Sequence, residues 1–264
     1  MTDVVASGTG ANYAIVAGAM DRLLANGLKP SALVATSGSS IVFAHLAAGG
    51  TPKSFLDFSK ECPPVRILRP NWLWPFIPGL VTAKPIIKAL APHIPRAFAQ
   101  CKVPLTIIAT DSDTAEPLYF SSHLTPKMSV GKAIHASISV PWLMRHANID
   151  GVRATDGGTT HNFAIDLPEN PPLGIRVLGA KSTPKPWRWW PSYSLNHIDA
   201  MIRSQERAHI SSGVWNRAKV LTIESPISSM DYFKVDAQML DKLYVVGQTA
   251  VTEKIASGWD WRPG

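Results

Sequence analysis

Cysteines and recognisable metal-binding motifs are scarce in this chain of 264 residues. Its two cysteines, Cys62 and Cys101, are too few for a disulfide framework or a cysteine-based zinc site. Neither an HExxH motif nor an EF-hand loop occurs in the sequence. We therefore expect no metal and no other cofactor, and free thiols favour a reducing compartment such as the cytoplasm.

Long apolar runs are also missing, although 45% of the residues are hydrophobic. No uninterrupted stretch approaches the roughly 18 residues that indicate a transmembrane helix. The residues after Met1 have neither the basic start nor the apolar core of a signal peptide. Without internal repeats or low-complexity stretches, the length fits one α/β domain over residues 1–264, so any contact with a membrane would be peripheral.

The charge balance narrows the choice of partners. The chain has 26 basic and 19 acidic residues and a formal net charge of +7, which suits an anionic membrane or nucleic acid. Because the charges are dispersed and no zinc finger, RNA-recognition signature or other DNA-binding motif accompanies them, we do not expect nucleic acid as a partner. The composition leaves the oligomeric state open.

Two segments combine tryptophans with basic residues and prolines, namely residues 62–79 and 184–191. Tryptophan rings sit at the boundary of a bilayer, and neighbouring cations face anionic headgroups. We expect peripheral membrane contact at these segments, with residues 62–79 as a candidate lid. The alternative is that the tryptophans pack in the core or at an oligomer contact.

The sequence around Ser37 is typical of a nucleophile at a strand-to-helix turn. Residues 31–35 form a short apolar run suited to a buried strand, and residues 41–48 indicate a helix that ends at two glycines. A serine between them projects from a sharp bend, where the amide of Gly38 favours negative charge on an attacked carbonyl oxygen. The usual pattern is GxSxG; here the sequence is ATSGS, with small residues in place of both glycines.

A glycine-containing loop, residues 8–13, precedes this turn by one helix and one strand. Residues 3–6 are a candidate strand and residues 14–26 a candidate amphipathic helix. Gly8 and Ser37 are 29 residues apart, close to the roughly 30 residues of one βαβ unit. Both loops should therefore reach the same carboxyl edge of a parallel sheet, where amides of the glycine loop can point at Ser37.

Two nucleotide-binding patterns begin with similar glycines. A dinucleotide fingerprint needs a third glycine, but this chain has Tyr13 there. The fingerprint also needs an acidic residue at the end of the next strand, and this chain has none at that position. A phosphate-binding P-loop needs Gly-Lys-Ser/Thr after the glycines, which is absent. Both patterns are therefore disfavoured.

Asp156 is followed directly by two glycines. Asp-Gly-Gly is by itself a common turn. The glycines, however, leave space for another side chain, and poor solvation raises the pKa of an aspartate above its usual value of about 3.9. Such an aspartate can deprotonate Ser37 without a histidine. The alternative is the Ser, Asp, His order of an α/β-hydrolase triad, with His161 or His197 as the base.

Four short blocks, taken in order, resemble those of the patatin-like phospholipases. They are GTGANY at residues 8–13, ATSGS at 35–39, ASISVP at 136–141, and DGG at 156–158 with Asn162. Residues 109–122 also resemble the family's strand pair between the second and third blocks, and the likeness covers roughly residues 3–180. With the alternation of strands and helices, it implies a single α/β domain whose mixed, largely parallel central sheet is covered by helices on both faces.

The resemblance implies hydrolysis of lipid acyl esters, phospholipids first among them, through an acyl-enzyme intermediate and without calcium. Ser37 would be the nucleophile and Asp156 the base of the family's Ser-Asp dyad. The candidate oxyanion hole consists of the backbone amides of Gly8, Thr9, Gly10, Ala11 and Gly38. A general carboxylesterase acting on soluble esters and a catalytically weak, membrane-binding pseudoenzyme are the alternatives.

The first block departs from the family pattern at three positions. Thr9 stands where the family usually has its middle glycine, Asn12 where it has a basic residue, and Tyr13 where it has a final glycine. A β-branched residue adopts positive φ only at a cost. We therefore expect an oxyanion loop of altered shape, with Asn12 as a possible side-chain donor that lacks the charge.

Overall fold

The computed structural model describes residues 1–68, 81–180, 190–211, 216 and 218–262. An eight-stranded sheet lies at its centre, in the order β5-β6-β3-β2-β1-β7-β8, with β4 paired to β3. The strands are β1 (Thr2–Ala6), β2 (Pro30–Thr36), β3 (Leu105–Asp111), β4 (Pro117–Ser121), β5 (Ala147–Ile149), β6 (Val152–Asp156), β7 (Leu173–Leu178) and β8 (Lys219–Glu224).

Eight helices accompany this sheet in the described residues. They are α1 (Tyr13–Ala25), α2 (Gly38–Ala47), α3 (Pro52–Glu61), α4 (Pro64–Ile67), α5 (Lys84–Leu90), α6 (Val130–Ser137), α7 (Trp190–Ser211) and α8 (Ala237–Ala256). None of the helices in the described ranges is long and apolar enough to cross a bilayer. Residues 69–80 and 181–189 lie outside the described residues, so most of both predicted membrane-contact segments stays a prediction.

The strands bury both of their faces, as a parallel sheet requires. In β1, Val4 and Ala6 belong to the main core beneath the helices, while Val5 faces a second, smaller cluster. That second cluster is closed by Phe163, Ala164 and Ile165. Strands β1, β2, β3, β7 and β8 pair in parallel, and β4, β5 and β6 are antiparallel additions. The predicted fold class, a mixed and largely parallel sheet, is confirmed.

The first βαβ unit also forms as predicted. β1 pairs in parallel with β2, and Ala6 lies opposite Ala35. The residues that follow these two strands, Ser7 and Ser37 with their neighbours, therefore leave the sheet at the same carboxyl edge. This places the glycine loop beside the strand-to-helix turn.

Strand β3 brings a distant segment to the same place. Residues 106–108 pair with β2 and with β4, whereas Ala109 and Thr110 pair with β6 and with β4. Because a strand has only two edges, β2 and β6 follow one another along a single edge of β3. Thr36 lies opposite Ile108 and Asp156 opposite Ala109, so the ends of β2 and β6 meet head to head.

Candidate active site

Ser37 occupies the sharp turn between β2 and α2. Its backbone has φ 53° and ψ −132°, a strained conformation for a residue other than glycine. Hydrogen bonds hold it there: the Ser37 amide donates to Ser137 Oγ at 2.8 Å, and the amide and hydroxyl of Ser40 donate to the Ser37 carbonyl at 2.9 and 2.6 Å. The turn therefore presents the Ser37 side chain at the carboxyl edge of the sheet.

The Ser37 hydroxyl donates a hydrogen bond directly to Asp156. The distance from Oγ to Oδ2 is 2.6 Å, and Asp156 Oδ1 accepts a second bond, of 2.7 Å, from the amide of Gly158. Both side chains are buried, with 5% of Ser37 and 2% of Asp156 exposed. Burial raises the pKa of Asp156 to about 7, against the lowering effect of these two hydrogen bonds. Its carboxyl group can therefore accept and return a proton near neutral pH.

The end of α6 and the residues after it hydrogen-bond to the backbone of both Ser37 and Asp156. Ser137, at the end of α6, accepts the amide of Ser37 through its hydroxyl oxygen. The Ser139 carbonyl accepts the amide of Asp156 at 3.0 Å and the hydroxyl of Thr155 at 2.7 Å. The third sequence block thus fixes the separation between Ser37 and Asp156.

The glycine loop offers fewer free donors than the sequence suggests. The amide of Gly8 donates to the Asn162 carbonyl at 2.9 Å, and that of Ala11 donates to the Ser229 carbonyl at 2.8 Å. Within the described part of the chain, the amides of Thr9, Gly10 and Gly38 donate to no acceptor.

Gly10 and Gly38, two of the residues with free amides, approach each other closely. A Cβ on Gly38 would contact the carbonyl oxygen of Gly10 and lie 3.1 Å from the Gly10 nitrogen, so only glycine permits this close approach. The amides of Thr9, Gly10 and Gly38 therefore remain free in the described part of the chain, while those of Gly8 and Ala11 hold the loop in place.

The altered first block keeps an unstrained threonine. Thr9 has φ −117°, which a β-branched residue adopts readily, and the positive φ of the loop, 53°, falls on Gly10. Asn12 points away from Ser37: its Oδ1 accepts from Ser225 Oγ at 2.8 Å, so it anchors the segment after β8. Tyr13 packs edge-on against Phe55, with ring centroids 5.8 Å apart.

The two histidines that a triad would use take no part in this arrangement. His161 has Nε2 2.7 Å from Asp166 Oδ1 and Nδ1 3.0 Å from the Tyr119 hydroxyl. His197 is exposed on α7. The Ser37 hydroxyl donates straight to the Asp156 carboxylate, with neither histidine between them.

Two cavities meet beside Ser37. One cavity contains Ser37 and Asp156, has α7 as one of its walls, and is called the polar cavity because charged side chains are among its lining residues. The second, the apolar cavity, runs between α3 and α5. Gly10 and Tyr232 line both. The apolar walls include Phe55, Phe58, Leu68, Ala89, Ile138 and Met144.

Sequence reasoning missed a buried ionic group on the polar side. Glu206 of α7, 4% exposed, accepts hydrogen bonds from Arg176 at 2.7 Å and from Asn162 Nδ2 at 2.5 Å. Asn162 in turn holds the amide of Gly8 through its carbonyl. Of these three residues, the sequence motifs indicated only Asn162, which accompanies the DGG block. Arg176 and Glu206 belong to no local pattern.

Comparison with known proteins identifies relatives of this chain. The model of the family described as patatin-like phospholipase matches residues 4–168. Protein R571 of Acanthamoeba polyphaga mimivirus, itself uncharacterised, is 30% identical over 168 residues. That match covers 60% of this chain and 56% of the viral protein, so this chain corresponds to little more than half of its relative.

Solved structures share the fold at low sequence identity. VipD from Legionella pneumophila has a TM-score of 0.58 and 12% identity, over 97% of this chain and 67% of that one. ExoU in its heterodimeric complex with SpcU, from the type III secretion system of Pseudomonas aeruginosa, has a TM-score of 0.50 and 16% identity, over 97% and 51% of the two chains. Since the family model spans well over half of the sequence, and its blocks meet around Ser37, the chain belongs to the patatin-like phospholipase family.

Proposed function

We propose that this protein is a lipid acyl hydrolase of the phospholipase A type that uses Ser37 and Asp156 as a calcium-independent catalytic dyad. The observation that carries the proposal is the 2.6 Å hydrogen bond between Ser37 Oγ and Asp156 Oδ2 in a buried site. Membership of the family supplies the substrate class. The proposal includes one hydrolase domain over residues 1–264 and peripheral contact with the membrane that holds the substrate.

The proton transfers of the proposed reaction involve these two side chains, the leaving alcohol and water. Asp156 accepts the proton of Ser37 as Oγ attacks the acyl carbonyl carbon, and the oxyanion that forms accepts hydrogen bonds from the free amides of the glycine loop and Gly38. When the ester bond breaks, the proton on Asp156 passes to the leaving alcohol oxygen and the acyl group stays on Ser37. Asp156 then deprotonates a water molecule, which attacks the acyl-enzyme; the fatty acid leaves and Ser37 regains its proton.

The cavities suggest how a lipid ester divides between them. The apolar cavity, lined by Phe55 and Phe58 among others, suits an acyl chain because apolar surface is driven out of water there. The polar cavity suits the leaving alcohol and headgroup, since Asp199, Arg203 and Glu206 line it. The scissile carbonyl would then lie between them, beside Ser37.

Filling the apolar cavity should change the preference for chain length. Ala89, which lines this cavity on α5, is half-buried. In Ala89→Trp the indole would occupy the space for the acyl chain, so we expect kcat/KM for a 16-carbon ester to fall at least about 10-fold relative to a 4-carbon ester. Ala91→Trp, at an exposed neighbouring position, serves as the control and should keep the wild-type ratio. Equal loss on both chain lengths would contradict the assignment of the cavity.

The pH dependence should follow Asp156. The base acts only as a carboxylate, and its pKa is about 7. We therefore expect kcat/KM to fall about tenfold per pH unit below pH 7 and to level off above it. Initial rates on a soluble ester between pH 5 and 9 would measure this profile. A plateau that extends down to pH 5 would contradict a buried aspartate base.

Activity on different substrates distinguishes a phospholipase from a carboxylesterase and from a membrane-binding scaffold. Phospholipid vesicles and short soluble esters would be incubated with the protein while calcium is chelated, and the released fatty acid measured. Release from vesicles supports the proposal; turnover of soluble esters alone would make the protein a carboxylesterase. Vesicle binding without turnover of either substrate would make it a scaffold.

The nucleophile can be identified independently of the substrate. A fluorophosphonate reacts with an activated serine and leaves a stable phosphonyl group on it. Peptide mapping by mass spectrometry should find that group on Ser37. A label on any other residue, or none at all, would contradict the proposed function.

A further inference from the structure

The segment after β8, residues 225–234, packs against the glycine loop. The Ser225 hydroxyl donates to Asn12, and the Ser229 carbonyl accepts the amide of Ala11. Tyr232 follows in a single 3₁₀ turn, Tyr232–Lys234, and a Cβ on Gly10 would lie 3.1 Å from its hydroxyl oxygen. This segment lies beyond the four sequence blocks, in a part of the chain where the sequence predicts no catalytic group.

The hydroxyl of Tyr232 has no partner of its own. Tyr232 is only 7% exposed, and its hydroxyl makes no hydrogen bond within the described ranges. The ring lines both the polar and the apolar cavity, so the hydroxyl is available to a molecule that occupies them.

We propose that the Tyr232 hydroxyl donates a hydrogen bond to the acyl carbonyl oxygen of the substrate and to the oxyanion formed from it. This inference rests on the proposed function, which places the scissile carbonyl where the two cavities meet. Tyr232 and Gly10 are the two residues that line both cavities. The tyrosine would thus add a side-chain donor to the backbone amides of Thr9, Gly10 and Gly38.

The hydroxyl stays a donor throughout the reaction. Burial, and next the nearby charge of Asp156, raise the pKa of Tyr232 above its ordinary value. The tyrosine therefore keeps its proton, and each proton transfer of the proposed reaction passes through Asp156. Such a donor stabilises the transition state more than the bound ester, because negative charge develops on the carbonyl oxygen.

Tyr232→Phe tests the assignment because it removes the hydroxyl and keeps the ring. We expect kcat to fall about 10- to 100-fold with KM within about threefold, since removal of one oxyanion donor usually costs about 10²–10³ and the amides remain. The matched control is Tyr244→Phe, another buried tyrosine, located on α8 and lining neither cavity. It should keep kcat within about twofold, and both variants should keep the wild-type melting temperature within about 3 °C.

Two different esters distinguish whether the Tyr232 hydroxyl donates to the carbonyl oxygen or to the leaving oxygen. The ethyl ester and the p-nitrophenyl ester of one fatty acid share the carbonyl but differ in the leaving group. A donor to the carbonyl oxygen should give the same fold-loss in kcat/KM on both esters. A loss confined to the ethyl ester would mean that Tyr232 assists the leaving oxygen, and no loss on either ester would mean that it assists neither; each result overturns the inference.

The role of Tyr232 can be wrong while the proposed function is right, and the experiments tell these outcomes apart. If Ser37 is labelled by the fluorophosphonate and Tyr232→Phe is as active as the wild type, the dyad stands and the role of Tyr232 is wrong. Absence of the label on Ser37 would overturn both. We also expect Tyr232→Phe to slow labelling about 10-fold or more, because the phosphonyl oxygen would occupy the same position as the oxyanion.

Discussion

Ser37→Ala should abolish hydrolysis, with a loss in kcat of at least about 10⁴-fold on vesicles and on soluble esters. The variant keeps the backbone turn but lacks the atom that attacks the ester. The remaining donors and cavities can still bind substrate, so KM and vesicle binding should change little. Fatty-acid release and fluorophosphonate labelling should be lost together.

The control for this variant is a serine outside the site. Ser257→Ala removes an exposed hydroxyl that donates only to the Lys254 carbonyl after α8. Its activity should stay within about twofold of wild type. Residual activity of Ser37→Ala above about 1% of wild type would mean that another group attacks the ester, and the dyad would be wrong.

Asp156→Asn should lower kcat by about 10²–10⁴-fold, the usual contribution of a general base. The amide is nearly the same size as the carboxylate, and its oxygen can still accept the hydrogen bond from Gly158. It cannot, however, take the proton of Ser37. The surviving activity should no longer fall below pH 7, because the group that titrates has gone. Asp113→Asn, which alters an exposed ion pair with Arg153, should leave both activity and pH profile unchanged.

Asp156→Asn should also be more stable than the wild type in alkaline buffer. The pKa of Asp156 rises from an ordinary value of 3.8 to about 7 on folding, so between these pH values the folded state holds the proton more tightly than the unfolded chain. The free energy of unfolding of the wild type therefore falls as pH rises through this window, and the cost is complete above pH 7. Asparagine carries no such cost.

Thermal unfolding would measure this difference. We expect the melting temperature of Asp156→Asn to exceed that of the wild type at pH 8 and the gap to shrink at pH 5. Equal melting temperatures at pH 8 would mean that Asp156 is well solvated. A more stable but much less active variant is the expected result where a buried charge serves catalysis and not folding.

The sequence predicted the parts of the site that depend on local pattern. The strand before Ser37 and the helix after it are formed by neighbouring residues, so their turn could be located from apolar runs and glycines alone. The same holds for the first βαβ unit, because the length of the loop, helix and strand fixes where Gly8 emerges relative to Ser37. The shape of the glycine loop was not predictable: Thr9 avoids positive φ because Gly10 adopts it.

Other parts depend on packing between distant residues. Helix α3 (Pro52–Glu61), which supplies Phe55 and Phe58 to the apolar cavity, was not predicted, nor were β5 and β6. Glu206 and Tyr232 carry no local signal, because a single acidic residue on a helix and a tyrosine in a turn are ordinary features. Each becomes informative only through what it faces.

The amino-acid sequence by itself determined the fold class, the family and the two side chains proposed to react, since strand and helix patterns and short motifs are written in adjacent residues. Only the tertiary structure decided that Ser37 and Asp156, 119 residues apart, share a 2.6 Å hydrogen bond. It also decided which amides remain free and which hydroxyl faces the cavities. The physical reason is that hydrogen bonding and desolvation act between groups in space, and the register of β2 and β6 along β3 sets those distances.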